Sequence, residues 1–343
     1  MFLARTPFSP RPRALGGWLL VVAALVFAIV IVGGITRLTE SGLSITEWKP
    51  IGGILPPLNA AEWQAEFARY KAIPQYAAFN QGMTLEGFKH IFFWEYVHRL
   101  LARAIGVVLG LVLLAFWWKS WIPRGYGWRT LLILCLGGLQ GLVGWWMVAS
   151  GLTARTEVSH LRLATHLLAA MLIYAVLIWT ALDLFGRSHG QPRARLRLLP
   201  LLAILALALQ LIFGAFTAGL RAGYAFSSWP LMGDRLFPAG GWAAASVAHN
   251  LLYNPVAVQF VHRWWAWGVA IAAILLARAA WRRGGSSAAV LAVAAVALQI
   301  LLGIWTLLSG VALPIAVAHQ AVAALLLACL VWCAHVVGEA RRR

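Results

Sequence analysis

"YVHRLLARAIG", residues 96–106, returns as "FVHRWWAWGVA", residues 260–270. Each copy sets a His-Arg pair, His98-Arg99 and His262-Arg263, at the mouth of a strongly apolar run. The chain around them is 62% hydrophobic and only 11% charged, so these ionisable residues stand out. Several apolar stretches exceed about 18 residues, the length that reads as a membrane-spanning helix. They lack the period-two alternation of barrel strands. Only helices and closed barrels satisfy their backbone groups in lipid, so the chain reads as an all-α polytopic membrane protein. Eight transmembrane helices are expected, at roughly 16–35, 95–118, 130–150, 161–185, 198–220, 258–281, 288–311 and 313–337.

Other segments repeat as well. "LATHLLAAML" (163–172) returns as "VAHQAVAALL" (317–326), and Gln-x-x-x-Gly occurs at Gln140/Gly144, Gln210/Gly214 and Gln299/Gly303. Small residues let membrane helices approach closely, and Gln bonds across the interface. The repeat predicts two pseudo-symmetric four-helix bundles, spans one to four and five to eight, related by an axis along the membrane normal. The Gly-, Pro- and Arg-rich segment near 186–197 separates them, giving halves 1–190 and 191–343. The first half carries a long loop, 36–94. In it Asn59 is expected to cap a short helix whose Trp63, Phe67 and Tyr70 lie on the bilayer surface, and Thr84 to cap the helix of span two.

The net charge of +18 does not signal nucleic acid. Arg5, Arg11 and Arg13, Lys119, Arg124 and Arg129, Arg187, Arg193, Arg195 and Arg197, Arg278, Arg282 and Arg283, and Arg341 to Arg343 all fall on one side of an eight-span model. The positive-inside rule makes that side, and both termini, cytoplasmic. The first apolar run, about 20 residues long without a small-residue cleavage site, reads as a retained span rather than a signal peptide. Cys135, Cys329 and Cys333 are all in spans, so no disulfide framework is expected outside, and Cys329, Cys333 and His335 read as packing.

His90, His160, His189, His249 and His335 read as surface or interface residues. His98, His166, His262 and His319 form a pattern: each lies near the outer end of an even-numbered span, two per repeat. Intramembrane ionisable groups point to function. Two imidazoles facing each other among apolar side chains suit axial ligation of a haem in a four-helix bundle, whereas zinc or copper sites gather three or four ligands at one point. Arg99 and Arg263 are placed to meet haem propionates, or else to snorkel. Aligned through "VHR", Glu95 falls opposite Gln259, so only the first half has a carboxylate. Glu95 shares a helical face with His98 and can act as a base or stabilise a developing cation; a salt bridge to Arg99, four residues on, is the alternative.

The segments "ESGLSITEWKPIGGILPPL" (40–58), "NQGMTLEGFKHIFFWEYVHR" (80–99), "VSHLRLATHL" (158–167), "SSWPLMGDRLFP" (227–238), "VQFVHR" (258–263) and "VAHQ" (317–320) resemble the haem A synthases, in their cysteine-poor, mitochondrial-like branch. The resemblance implies oxidation of the C8 methyl of haem O to the formyl of haem A, for cytochrome oxidase. It implies Glu95 as catalytic carboxylate, His98 and His166 on the substrate haem iron, and His262 and His319 as ligands of a resident haem b. It also implies a bacterial cytoplasmic (inner) membrane location. A haem O synthase, an electron acceptor and further copies of the chain remain open as partners beside haem O and lipid. The competing reading is a bis-His membrane cytochrome b that transfers electrons without modifying a haem.

Overall fold

The structure is a computed structural model that describes residues 9–49, 52–243 and 245–339. Arg5 and Arg341 to Arg343 of the basic set, and Pro50 and Ile51 of the long loop, lie outside the described residues. In chain order the helices are α1 (Pro12–Leu38), α2 (Ala60–Lys71), α3 (Pro74–Phe79), α4 (Leu85–Trp118), α5 (Gly127–Ala149), α6 (His160–Ser188), α7 (Leu198–Gly219), α8 (Val247–Tyr253), α9 (Pro255–Trp281), α10 (Ser286–Leu308) and α11 (Leu313–Gly338). Eight of them, all but α2, α3 and α8, are long and apolar enough to cross a membrane. The chain is an integral membrane protein. Side chains such as Leu111, Leu142, Leu301 and Trp305 face outward, as lipid rather than water requires.

Neighbour relations order the spans into two rings. α1 packs on α4, α4 on α5, α5 on α6 and α6 on α1; likewise α7 on α9, α9 on α10, α10 on α11 and α11 on α7. The rings meet where α6 touches α7 and α11, and where α1 touches α11. This arrangement is consistent with two pseudo-symmetric four-helix bundles. One apolar core runs through both, from Leu15, Leu19 and Leu177 to Ala273, Leu276 and Leu330.

Both predicted caps form. The Asn59 side chain accepts from the Glu62 amide at 2.9 Å while Glu62 accepts from Asn59 Nδ2 and the Leu58 amide, a reciprocal N-terminal lock. Thr84 Oγ1 accepts from the Gly87 amide at 3.2 Å. From that cap α4 runs 34 residues, roughly 50 Å at 1.5 Å per residue, far more than the ~30 Å of hydrocarbon it must cross. Its first turns therefore stand out on the loop face. The apolar side of α2 packs there. Phe67 stacks on Phe88 at 5.0 Å, Trp63 meets Phe92 edge-on at 5.0 Å, and Tyr70 is fully buried. The expectation that this face lies on the bilayer surface is corrected: the projecting turns of α4 supply a better apolar partner.

Charged groups clasp the halves at both ends. On the loop face Arg221 donates to Glu40 at 2.5 Å and to Glu157, which also pairs with Arg37 at 3.3 Å. At the opposite end Asp183 of α6, whose side chain is wholly buried, accepts from Arg129 at 2.5 Å, from the Ala194 amide at 3.0 Å and from His335 of α11 at 3.1 Å. His335 is thus a buried strut rather than a surface residue. The same correction holds for His160, which is buried between Phe216 and Tyr253 with Nε2 against the Leu252 carbonyl at 2.7 Å.

Candidate functional site

His166, His262 and His319 lie in the second or third turn of their helices and His98 in the fourth turn of the longer α4, and each rests in a notch made by a glycine of the neighbouring helix. A Cβ built on Gly144 would stand 2.9 Å from His166 Cε1, on Gly214 3.1 Å from His262 Cε1, on Gly303 2.9 Å from His319 Cε1 and on Gly33 3.2 Å from His98 Nε2. Any larger residue would push the imidazole out of place. The Gln-x-x-x-Gly pattern therefore has a second use besides helix packing. Gln140 Nε2 lies 3.2 Å from His166 Nδ1 and donates to the His166 carbonyl at 2.9 Å. Gln210 does the same to His262 at the same two distances. Gln299 reaches His319 at Nε2, 3.4 Å away. The glycine clears the space and the glutamine one turn earlier holds the ring.

In the second bundle His262 and His319 face each other with ring centroids 6.4 Å apart and planes at 88°. Imidazole nitrogens bind transition metals at about 2.0–2.1 Å, so two on opposite sides of one iron would put their centroids roughly 6–6.5 Å apart. The pair fits a bis-His haem, and its glycine notches are the cradle that such ligands need. His98 turns Nε2 toward its notch where the other three turn Cε1, and among the described residues no such ring contact is found between His98 and His166.

The arginines following His98 and His262 perform parallel tasks. Arg99 donates to the Glu47 carbonyl at 2.9 Å and the Ile45 carbonyl at 2.7 Å. Arg263 donates to the Ser228 carbonyl at 2.8 Å and the Phe226 carbonyl at 2.8 Å. The loop stretches they grip, "SGLSITEW" (41–48) and "AGYAFSSW" (222–229), align Gly on Gly and Trp on Trp. Trp48 stacks on Trp145 at 5.6 Å and Trp229 on Trp264 at 5.8 Å. Each arginine thus fastens a loop over its bundle. Arg263 retains a buried Nε with no partner, a donor available to an anionic group.

Glu95 is 3% exposed. Oε2 accepts from Ser44 Oγ and from the Ile45 amide, both at 2.7 Å. Oε1 accepts from Arg99 Nε at 3.0 Å and Nη2 at 2.6 Å. The salt bridge to Arg99, the alternative raised by the sequence, is present. It places the carboxylate at the junction of α4 with the loop cover and leaves it fully hydrogen-bonded. At the equivalent place Gln259 donates to the Phe226 carbonyl at 3.0 Å and its Oε1 has no partner. The repeat has kept the loop lock and exchanged the charge.

The cover above Glu95 is held by polar side chains. Tyr70 donates to Gln75 at 3.2 Å and accepts from Asn80 Nδ2 at 2.6 Å, and Gln75 reaches the Glu40 carbonyl at 3.4 Å. Burial pushes the Tyr70 phenol up to about 12. The Lys49 side chain hydrogen-bonded to Glu47 holds that carboxyl below its usual range, against the opposing effect of burial.

Comparison with known proteins agrees with this construction. The COX15-CtaA family, described as cytochrome oxidase assembly protein, matches residues 16–331. "Heme A synthase" of Rhizorhabdus wittichii is 64% identical over 329 residues, 95% of this chain and 95% of its own. "Heme A synthase" of Sphingopyxis alaskensis is 52% identical over 334 residues, 96% of this chain and 94% of its own. That of Novosphingobium aromaticivorans is 52% identical over 347 residues, 97% and 99% of the two chains. With the family matched over nearly its whole length and relatives of this identity, the chain belongs to the haem A synthase family of cytochrome oxidase assembly proteins.

Proposed function

We propose that the chain oxidises the C8 methyl of haem O to the formyl of haem A, with the substrate haem in the first bundle and a resident haem b in the second. The methyl passes through an alcohol to a hydrated aldehyde that loses water, a four-electron oxidation overall, with oxygen drawn from water and the four electrons and four protons passed to an external electron acceptor. The observation that carries the assignment of the two sites is their asymmetry. The second bundle has a His pair at bis-ligand spacing and a neutral Gln259; the first has His98 with Nε2 turned to its glycine notch and the buried carboxylate Glu95.

His262 and His319 would hold haem b, with the spare Nε–H of Arg263 facing its acidic edge. When bound, haem b supplies one-electron redox chemistry. In the first bundle His98 and His166 orient the substrate haem. Glu95, fixed by Ser44, Ile45 and Arg99, stabilises positive charge developing at the ring edge or takes a proton from it. The loop cover excludes water from the pocket. The bundle ends that carry the basic connections of Lys119 to Arg129, Arg187 to Arg197 and Arg278 to Arg283 face the cytoplasm at a bacterial inner membrane, as do both termini, and the haem pockets lie toward the outer face.

Extraction and mass analysis of the bound haems tests this reading. Haem O or a hydroxylated derivative beside haem b is expected. Haem b alone, in protein that makes no haem A, would favour an electron-transfer cytochrome.

A further inference from the structure

Three of the four histidines have a glutamine one turn before their glycine notch; His98 does not. On α1 the notch is Gly33, and the residue four positions earlier, where Gln140, Gln210 and Gln299 stand on their helices, is Ile29. No hydrogen bond to the His98 ring is seen among the described residues, whereas His166 is held through both its Nδ1 and its carbonyl. A hydrogen bond from a neighbouring amide holds the direction of an imidazole ring. A ring without one turns more freely, and its nitrogen leaves an iron position more easily.

We propose that His98 is the exchangeable ligand of the substrate haem, and that His166 is the fixed one. This rests on the reading of the first bundle as the haem O site. The two bundles have opposite needs. A resident haem b must stay, and a glutamine stands against both of its imidazoles, Gln210 at Nδ1 of His262 and Gln299 at Nε2 of His319. A substrate must enter, react and leave, so one of its imidazoles is unpinned on an apolar neighbour. Release of His98 frees one iron position on the α1 side, while His166 keeps the ring registered against Glu95. Ile29 is then a positioning residue that acts by what it withholds.

The test uses the purified full-length protein loaded with haem O and reduced, with carbon monoxide as the probe. Carbon monoxide binds only where an axial nitrogen has left the iron: the iron–nitrogen bond breaks and an iron–carbon bond forms, with no change of oxidation state. The expected result is binding to the substrate haem and not to haem b. Ile29→Gln, which copies the other three helices, should slow that binding about tenfold, the effect of one added hydrogen bond, while the haem b bands stay unchanged. His98→Ala should keep haem O and bind carbon monoxide faster; His166→Ala should lose most of its haem O. Unchanged binding in Ile29→Gln with haem b intact overturns the proposal. So does loss of haem O from His98→Ala but not from His166→Ala, a comparison that decides the matter even if Ile29→Gln does not fold. If the wild type makes haem A while these outcomes fail, only the ligand assignment falls; if no haem O binds the first bundle, the underlying reading falls instead.

Discussion

Glu40 and Arg221 occupy the same place in the two repeats and bond to each other. Each follows the end of the first span of its half, each has left-handed backbone (φ 57° and 52°), and Arg221 Nη2 meets Glu40 Oε1 at 2.5 Å. Positive φ at a non-glycine residue is uncommon and costs about 1 kcal/mol or more. Its recurrence at equivalent sites shows a shared turn that aims two side chains toward the axis between the bundles. Divergence has given them opposite charge, so a repeat position has become a clasp.

Arg221→Ala leaves Glu40 and Glu157 without their shared partner. These side chains are partly exposed, so screening limits the loss to about 1 kcal/mol. A small fall in the thermal midpoint is expected, with both haems retained. Double-mutant cycles with Glu40→Ala should show coupling, because the two residues share one network.

Asp183→Ala should be more damaging. It removes the acceptor for Arg129, His335 and the Ala194 amide, a carboxylate whose own side chain is wholly buried. Breaking a fully buried charge pair costs about 3–5 kcal/mol, and the partial exposure of Arg129 puts this one toward the lower end. Low yield of folded protein is expected, with normal haem ratios in the fraction that folds. Normal yield would show that the clasp is dispensable.

Adding a methyl group at the glycine notches should separate the two sites. Gly214→Ala is expected to lower haem b content and shift its bis-His bands while haem O binding persists. Gly144→Ala should do the reverse, since its Cβ meets His166. If either change affects both haems equally, the notches serve helix packing rather than individual imidazoles.

The loop cover should depend on alkaline pH through Tyr70. Its phenol is raised to about 12 by burial, above the ordinary value near 10. A group whose folded pKa is raised contributes stability that is complete below its unfolded pKa and is lost as pH rises through the folded value. The cover should therefore hold below about pH 10 and loosen between about 10 and 12. Proteolysis within residues 52–84 as a function of pH checks this, and Tyr70→Phe should abolish the alkaline step.

Much of this architecture was legible in the residues. Hydropathy located eight spans because lipid demands long uninterrupted apolar helices, and the two "VHR" copies revealed the repeat. Asn59 and Thr84 were readable as caps because their partners lie three residues away. What escaped depends on groups distant in sequence. Arg99 and Arg263 grip backbone carbonyls, which leave no trace in side-chain identity. Asp183 is a single acid within an apolar run, and only the fold shows that Arg129 and His335 converge on it. The Gln-x-x-x-Gly spacing was visible as packing, yet its service to the histidines required knowing which helices are neighbours. The parallel between "SGLSITEW" and "AGYAFSSW" was too divergent to notice before the two arginines were seen to hold the same carbonyls.

The central claim is that duplication produced two haem cradles and that the one with Glu95 alters its guest. Glu95→Gln tests it most directly, because the amide keeps the shape and copies Gln259. Bound haems would be extracted from the variant and identified by mass. The account predicts unchanged haem b, haem O retained in the first bundle, and haem A formation lowered on the order of a hundredfold. Undiminished haem A from folded, haem b-replete Glu95→Gln protein would contradict it.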